Sequence, residues 1–214
     1  MRLILLGAPG VGKGTQATRI QQEYRVPHIS TGDTLRNAVQ QKTALGSEAS
    51  TYMNRGALVP DETMLGLIRS RLGESDCERG FILDGYPRTI NQADSLEALL
   101  EGMGLRLDAV LSLEVDRELL VARLLARRVC RACGADYNLI THPSRAEGIC
   151  DLCGGEIATR PDDNEQTIHN RLEVYEKQTA PLKDFYSRRG QLKEIDGQGT
   201  AEDVFTRVRN VLSG

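Results

Sequence analysis

The chain has no tryptophan, three phenylalanines and six tyrosines, so aromatic residues make up only 4% of its 214 positions. A core must be built mainly from aliphatic side chains, and no aromatic run is available on which the bases of a single strand would stack. No apolar run approaches the roughly 18 residues that span a bilayer. The N-terminal run Leu3-Ile4-Leu5-Leu6 stops at Gly7-Ala8-Pro9-Gly10, too soon for the ~7–15-residue apolar region of a secretory signal. These absences predict a cytoplasmic protein with no membrane part. A strong charge bias is lacking as well: 27 Lys and Arg stand against 30 Asp and Glu, for a net charge of −3. That argues against a nucleic-acid backbone as the main partner. There are only three histidines, and His28, His142 and His169 have no partners in sequence that would make a catalytic base or a Ser/His/Asp arrangement.

What is present centres on Gly7-Ala8-Pro9-Gly10-Val11-Gly12-Lys13-Gly14-Thr15. An apolar strand precedes it and a stretch free of Gly and Pro, able to be helical, follows. This is the context in which G-x-x-x-x-G-K cradles phosphate. Glycines let backbone N–H groups approach an anion, the helix adds its positive dipole end, and Lys13 adds a full charge. Gly10, Val11, Gly12, Lys13, Gly14 and Thr15 are thus the candidate phosphate-binding residues. The hydroxyl that normally follows the Lys is displaced: Gly14 stands there and Thr15 comes next, so direct ligation of Mg²⁺ by a hydroxyl is not expected.

Further strands are predicted at 26–29, 80–84, 108–115 and 191–196, alternating with helices. The length fits one core with insertions. The pattern implies an α/β fold with a mostly parallel sheet covered on both faces and a site at the carboxyl ends of its strands, where Gly7, Asp84 and Asp196 fall. Residues 30–59 read as a small helical insertion. Asp61 and Asp116 are expected to cap helices, the second running from Arg117 to about Arg128. A long helix is expected from Asp162-Asp163 towards Arg188, kinked at Pro181.

Cys130-x-x-Cys133 and Cys150-x-x-Cys153 are separated by residues 134–149, and a glycine follows each pair. The spacing matches a four-thiolate zinc site, closed and therefore structural. Such a ribbon could also read nucleic acid, with Arg127, Arg128, Arg131 and Arg145 near it. The acidic Asp136, Glu147, Asp151 and Glu156 oppose that reading. Cys77 stands alone and reads as a packed thiol.

Arginines are placed where a base is missing. Arg123 and Arg127 are four apart, Arg160 and Arg171 flank Asp162-Asp163, and Arg36 and Arg88 sit beside turns. As a set they suit clamps on phosphate oxygens. An acceptor that is itself a phosphate needs no base, only charge neutralisation, alignment and exclusion of water. The insertions at 30–59 and about 126–163 would be the covers.

The loop at 7–15, Ser30-Thr31-Gly32-Asp33 with Arg36, Leu83-Asp84-Gly85-Tyr86-Pro87-Arg88-Thr89, Gln92, the arginines, the four cysteines and Asp196-Gly197 together resemble the adenylate kinases, in the form with a long zinc-binding lid. The resemblance covers essentially the whole chain. It implies a P-loop NTPase-type, five-stranded parallel sheet: a core of 1–29, 60–125 and 164–214, an AMP-binding insertion at 30–59 and a lid at 126–163. It implies reversible transfer of the γ-phosphoryl group of Mg-ATP to AMP, giving two ADP, in nucleotide energy homeostasis and purine salvage. Gly10 to Thr15, Arg123, Arg127, Asp136, Tyr137 and Gly199 would face ATP. Thr31, Arg36, Ala57, Leu58, Val59, Gly85, Tyr86, Pro87, Arg88 and Gln92 would form the AMP site, with Arg160 and Arg171 bridging to the acceptor phosphate. Lys13, Arg88, Arg123, Arg160 and Arg171 would be catalytic, and Asp84 would organise Mg²⁺ through water. Cys130, Cys133, Cys150 and Cys153 would hold zinc. The family suggests a monomer. Relatives using GTP as donor, or UMP or CMP as acceptor, are the nearest alternatives; a nucleotide-driven switch reading nucleic acid is a more distant one. Pro161 stands where related chains often carry Lys and should stiffen the lid hinge. Tyr86 replaces a common Phe.

Overall fold

The computed structural model describes residues 1–213. Five strands, β1 (Arg2–Leu6), β2 (His28–Ser30), β3 (Phe81–Asp84), β4 (Ala109–Glu114) and β8 (Leu192–Asp196), pair in the order β2-β3-β1-β4-β8, all parallel. Successive side chains leave a strand on opposite faces. Leu3 and Leu5 therefore pack on one side with Ile82, Leu111 and Leu113, while Ile4 and Leu6 pack on the other with Leu83 and Val110. Helices cover both sides, so every β1 residue from Leu3 to Leu6 is buried. On the first face lie α1 (Lys13–Tyr24), α6 (Arg117–Leu125), α7 (Glu165–Val174) and α9 (Ala201–Ser213). On the second lie α4 (Asp61–Leu72), α5 (Ile90–Gly102) and α8 (Leu182–Ser187). The strand order reverses beside β1, which puts the crevice outside its carboxyl end, where residues 7–12 sit.

Two insertions rise over that end. The first holds α2 (Thr31–Gln40), capped by the Ser30 hydroxyl, which accepts from the Asp33 N–H, and α3 (Ala44–Met53). The second is a three-stranded antiparallel sheet in the order β6-β5-β7, made of β5 (Arg127–Cys130), β6 (Asp136–Asn138) and β7 (Ile157–Ala158). No helix among the described residues is long and apolar enough to cross a membrane.

Some expectations need correction. α6 stops at Leu125, so Arg127 and Arg128 lie on a strand and Arg123 and Arg127 do not share a helix face. The Asn138 side chain donates to the Arg123 carbonyl at 2.9 Å and the Leu139 N–H to the Ala126 carbonyl at 3.0 Å, which ends the helix by taking its last acceptors. Asp116 and Asp61 do not cap. Pro60 precedes α4, while Asp116 makes no capping bond and accepts instead from Gln198 at 3.2 Å. The long C-terminal helix breaks before Pro181: a π-helical turn occupies Tyr175–Thr179, closed by the Ala180 N–H on the Tyr175 carbonyl. Pro181 lacks the N–H and crowds the preceding turn, and the wider coil relieves both.

Candidate phosphoryl-transfer site and metal centre

Residues 7–12 turn sharply because Gly7, Gly10 and Gly12 adopt φ of 135°, 85° and 104°. A side chain at Gly7 would lie 2.6 Å from the Leu113 carbonyl oxygen, and one at Gly10 would lie 2.8 Å from Leu124, so backbone and packing both demand glycine. Gly12 precedes α1 and offers no side-chain cap, which leaves the positive end of that helix open to an anion. Lys13 folds back over the loop and donates to the Gly7 and Ala8 carbonyls at 2.7 and 3.0 Å. Burial pushes its pKa down to about 8, and Arg88, Arg171 and Arg127 push the same way against Asp84.

Asp84 ends β3 facing the loop. Burial would raise its carboxyl, but the bond from His28 Nε2 at 3.2 Å and the charge of Lys13 prevail and hold it below the usual range. A side chain at Gly14 would stand 3.7 Å from an Asp84 oxygen and 3.9 Å from one of Asp136. The lid thus brings an acidic group across the phosphate loop. Thr15 is exposed.

The arginines converge. Arg127 binds Asp163 through Nε at 2.7 Å and through Nη2, and Arg171 Nη1 reaches Asp162 and Asp163, both at 3.1 Å. Arg160 bonds Asp136 at 2.6 Å and stands 4.0 Å from Asp33, while Arg36 pairs with Asp33 and stands 4.0 Å from Asp162. The lid and the helical insertion therefore face each other across charges. Arg88 donates to the Gly85 carbonyl at 2.8 Å. Burial lowers the pKa of Arg88, Arg160 and Arg171, the last to about 10; for Arg127 the Asp163 bonds outweigh burial and raise it. Cations that are desolvated and crowd one another in this way favour an anion between them.

A cleft opens beside these groups. Of the acceptor-side residues expected from sequence, Thr31, Arg36, Ala57, Leu58, Val59, Gly85, Arg88, Gln92 and Arg171 line it. Leu35, Met53, Gly56, Met64 and Asp162 line it too, without having been anticipated. For Leu35, Met53 and Met64 the signal was the apolar face of a helix, which reads equally as core; Gly56 and Asp162 lie in turns and carried no such signal. Tyr86 and Pro87 are buried behind the cleft, and Arg160 belongs to the lid side. Of the residues expected from sequence to face ATP, Arg123 Nη1 lies 3.5 Å from the Gly197 carbonyl, and Gly199 turns with φ of 100° in the same loop. A side chain on Gly197 would touch Val11 at 3.6 Å, so this loop flanks the phosphate loop. Tyr137 faces into the lid instead: its hydroxyl bonds Cys150 Sγ at 3.3 Å and accepts from the Asp151 N–H at 2.8 Å, and its ring stacks on His142.

The two Cys-x-x-Cys-Gly turns are built alike. The Cys130 N–H bonds the Ala135 carbonyl and the Cys150 N–H the Gly155 carbonyl, both at 2.9 Å, while Gly134 and Gly154 take φ of 74° and 73°. The four sulfurs lie within 4.8 Å of one another, with Cys130–Cys153 at 3.5 Å and Cys133–Cys150 at 3.6 Å. A tetrahedron of Zn–S bonds about 2.3 Å long needs sulfurs about 3.8 Å apart, so the donor set fits zinc in kind and size.

A parallel sheet with a glycine-rich phosphate loop at its central strand, roofed by two insertions that carry arginines into one cleft, defines a P-loop phosphotransferase. The adenylate kinase family model matches residues 5–191. The chain is 51% identical over 214 residues to the adenylate kinase of Bacillus subtilis (strain 168), covering 100% of this chain and 99% of that one. It is 51% identical over 212 residues to that of Carboxydothermus hydrogenoformans, covering 99% of each, and 53% identical over 204 residues to that of a Geobacter species, covering 95% of each. The chain belongs to the adenylate kinase family, whose reaction turns ATP and AMP into two ADP.

Proposed function

We propose that residues 7–15, with Lys13, Arg123 and Arg127, hold the phosphates of Mg-ATP, and that the cleft lined by Thr31, Arg36, Arg88 and Gln92 holds AMP. One observation carries this reading: beyond the effect of burial, three arginines, Arg88, Arg171 and Arg127, lie near enough to Lys13 to lower its basicity further, and the Asp84 carboxylate set against them is held ionised by His28 and Lys13. That is a site for two phosphate chains, not for activating a neutral hydroxyl. The AMP phosphate is an anion and attacks without losing a proton. Arg88 and Arg171 neutralise it, Lys13 and Arg127 neutralise the donor, and aligned charges lower the barrier by positioning. Arg160 and Asp136 travel with the lid and seal the donor from water.

The division into a core of 1–29, 60–125 and 164–214, an AMP-binding insertion at 30–59 and a lid at 126–163 follows from the same reading. Asp84, beside the space that Gly14 leaves, would anchor the water shell of the substrate's Mg²⁺. Cys130, Cys133, Cys150 and Cys153 would hold zinc, which would pin the lid without taking part in the transfer. Phosphorus NMR with Mg-ATP tests the function. ADP should form only when AMP is added, reversibly and without free phosphate. Phosphate released without AMP would overturn the reading.

A further inference from the structure

The side-chain amide of Gln92 is held at both ends. Its Oε1 accepts from the Arg88 backbone N–H at 2.7 Å, and its Nε2 donates to Asp61 Oδ1 at 2.7 Å. The other Asp61 oxygen accepts from the Thr89 hydroxyl at 3.2 Å, and that hydroxyl accepts from the Gln92 backbone N–H at 3.1 Å. Asp61 opens α4 and Gln92 lies in the first turn of α5, so this cluster ties two helices behind the cleft. Gln92 lines the cleft; Asp61 lines a separate opening on its far side with Thr89 and Asn91.

A backbone N–H only donates, and an ionised carboxylate only accepts. The amide's orientation is therefore assigned by its partners: oxygen towards Arg88, nitrogen towards Asp61. A flipped amide would set donor against donor at Arg88 and acceptor against acceptor at Asp61. Each end keeps one further bonding position, the second lone pair of Oε1 and the second hydrogen of Nε2. A 6-aminopurine presents an amino donor beside a ring-nitrogen acceptor, which matches those positions. A 6-oxopurine presents an acceptor where the amino group was. An amide free to turn over would accommodate either; one of fixed polarity meets the oxo group with the wrong atom.

We propose that Asp61 is a positioning residue that sets the preference for a 6-aminopurine acceptor over a 6-oxopurine one, by locking the Gln92 amide in a single orientation. This rests on the reading of Gln92 as the contact to the acceptor's base.

The experiment compares kcat/KM for AMP and IMP with saturating Mg-ATP, both acceptors on one preparation so that any unfolded fraction cancels from the ratio. In Asp61→Asn the replacement can donate or accept, so the amide is released. The AMP/IMP ratio should fall at least tenfold, through a higher KM for AMP and a lower one for IMP, with KM for Mg-ATP unchanged. Asp61→Ser should do the same and serves if Asp61→Asn does not fold. Asp61→Glu, which keeps an acceptor-only group, should restore most of the ratio. A ratio within twofold of the parent in Asp61→Asn or Asp61→Ser, or an Asp61→Glu ratio as low as theirs, would overturn the proposal. Gln92→Leu separates the two claims. If it alone collapses the ratio, Gln92 reads the base but Asp61 does not orient it. If it too leaves the ratio unchanged, the base is not read at Gln92.

Discussion

Arg127 and Arg171 are bound to the same carboxylate, that of Asp163, whose side chain has no exposed surface. One anion thus holds two cations side by side. Asp162 adds a second acceptor to Arg171 and stands 4.0 Å from Arg36. The acidic pair fixes the spacing of these arginines, and side chains already held in place cost less to order around a ligand.

Replacing Asp163 with Asn should therefore cost more than a surface pair does. Breaking a buried pair from one side strands the partner charges and costs about 3–5 kcal/mol. Calorimetry should show a large fall in Tm for Asp163→Asn. Saturating ATP and AMP should recover part of it, because their phosphates replace the lost counter-charge. A loss no larger than that of an exposed control such as Glu173→Gln would mean the pair does not support the fold.

Arg88 offers a sharper catalytic test. Its guanidinium is bonded to the Gly85 carbonyl at 2.8 Å, and its backbone is clamped by Gln92 on one side and by the Thr179 hydroxyl on the other, at 2.7 and 2.9 Å. The side chain is aimed, not merely present. Arg88→Ala should lower kcat by about 10²–10³-fold, the scale of losing one aligned donor to a developing charge. Binding of Mg-ATP, followed by calorimetric titration, should change little. Near-normal turnover would remove Arg88 from the catalytic set.

These contacts mark what the sequence alone could and could not disclose. The phosphate loop and the two cysteine pairs are local patterns: each residue's partners lie within a few positions, so spacing reveals them. The central strands β1, β3 and β4 were legible because burial on both faces leaves a continuous apolar run. The strands of the lid were not, since β6 has three residues and β7 two, too short for any period. Arg127 was expected on a helix because nothing near it shows that Asn138 and Leu139 will take that helix's last carbonyls. Asp61 looked like a cap, and only the tertiary fold brings it to Gln92. Asp162 and Asp163 were expected to open a helix, which instead starts at Glu165 with Asn164 as its cap, and their work as counter-charges depends on arginines that come from other elements.

The zinc proposed for the four cysteines should serve stability and not chemistry, and its removal separates the two. The lid's own apolar cluster is small, Cys130, Tyr137 and Cys150 with Ala135 and Ile157 packed against it, so the four thiolates must supply much of its cohesion. Chelation should lower Tm by at least about 5 °C, which corresponds to a loss of roughly 2 kcal/mol in a chain of this size. The initial rate at a temperature where the chelated protein stays folded should change much less. A collapse of rate under those conditions would give the metal a part in positioning the lid over the donor.

Lys13, half-buried where it folds back over the loop, predicts opposite pH slopes for folding and for binding. Its pKa in the folded protein is about 8 against 10.5 for a free lysine, so between those values the unfolded chain carries more protons on this group. Stability of the empty protein gains from it as pH rises through that window. Below about pH 8 both states are protonated and the buried charge is a standing cost. Bound phosphates favour the protonated form, so binding of Mg-ATP above pH 8 must draw a proton from solution. Affinity should then fall up to tenfold per pH unit from about pH 8 upward. Thermal melts with and without Mg-ATP from pH 7 to 9.5 read both slopes at once: the stabilisation by ATP should shrink as pH rises. Calorimetric titration at pH 9 in buffers of different ionisation heat should register proton uptake approaching one per ATP bound. Lys13→Arg, whose side chain stays charged throughout, should flatten the pH slope even if it binds more weakly. If the parent protein and Lys13→Arg show the same slope, another group governs it and Lys13 stays protonated across this range, held so by the Gly7 and Ala8 carbonyls and Asp84.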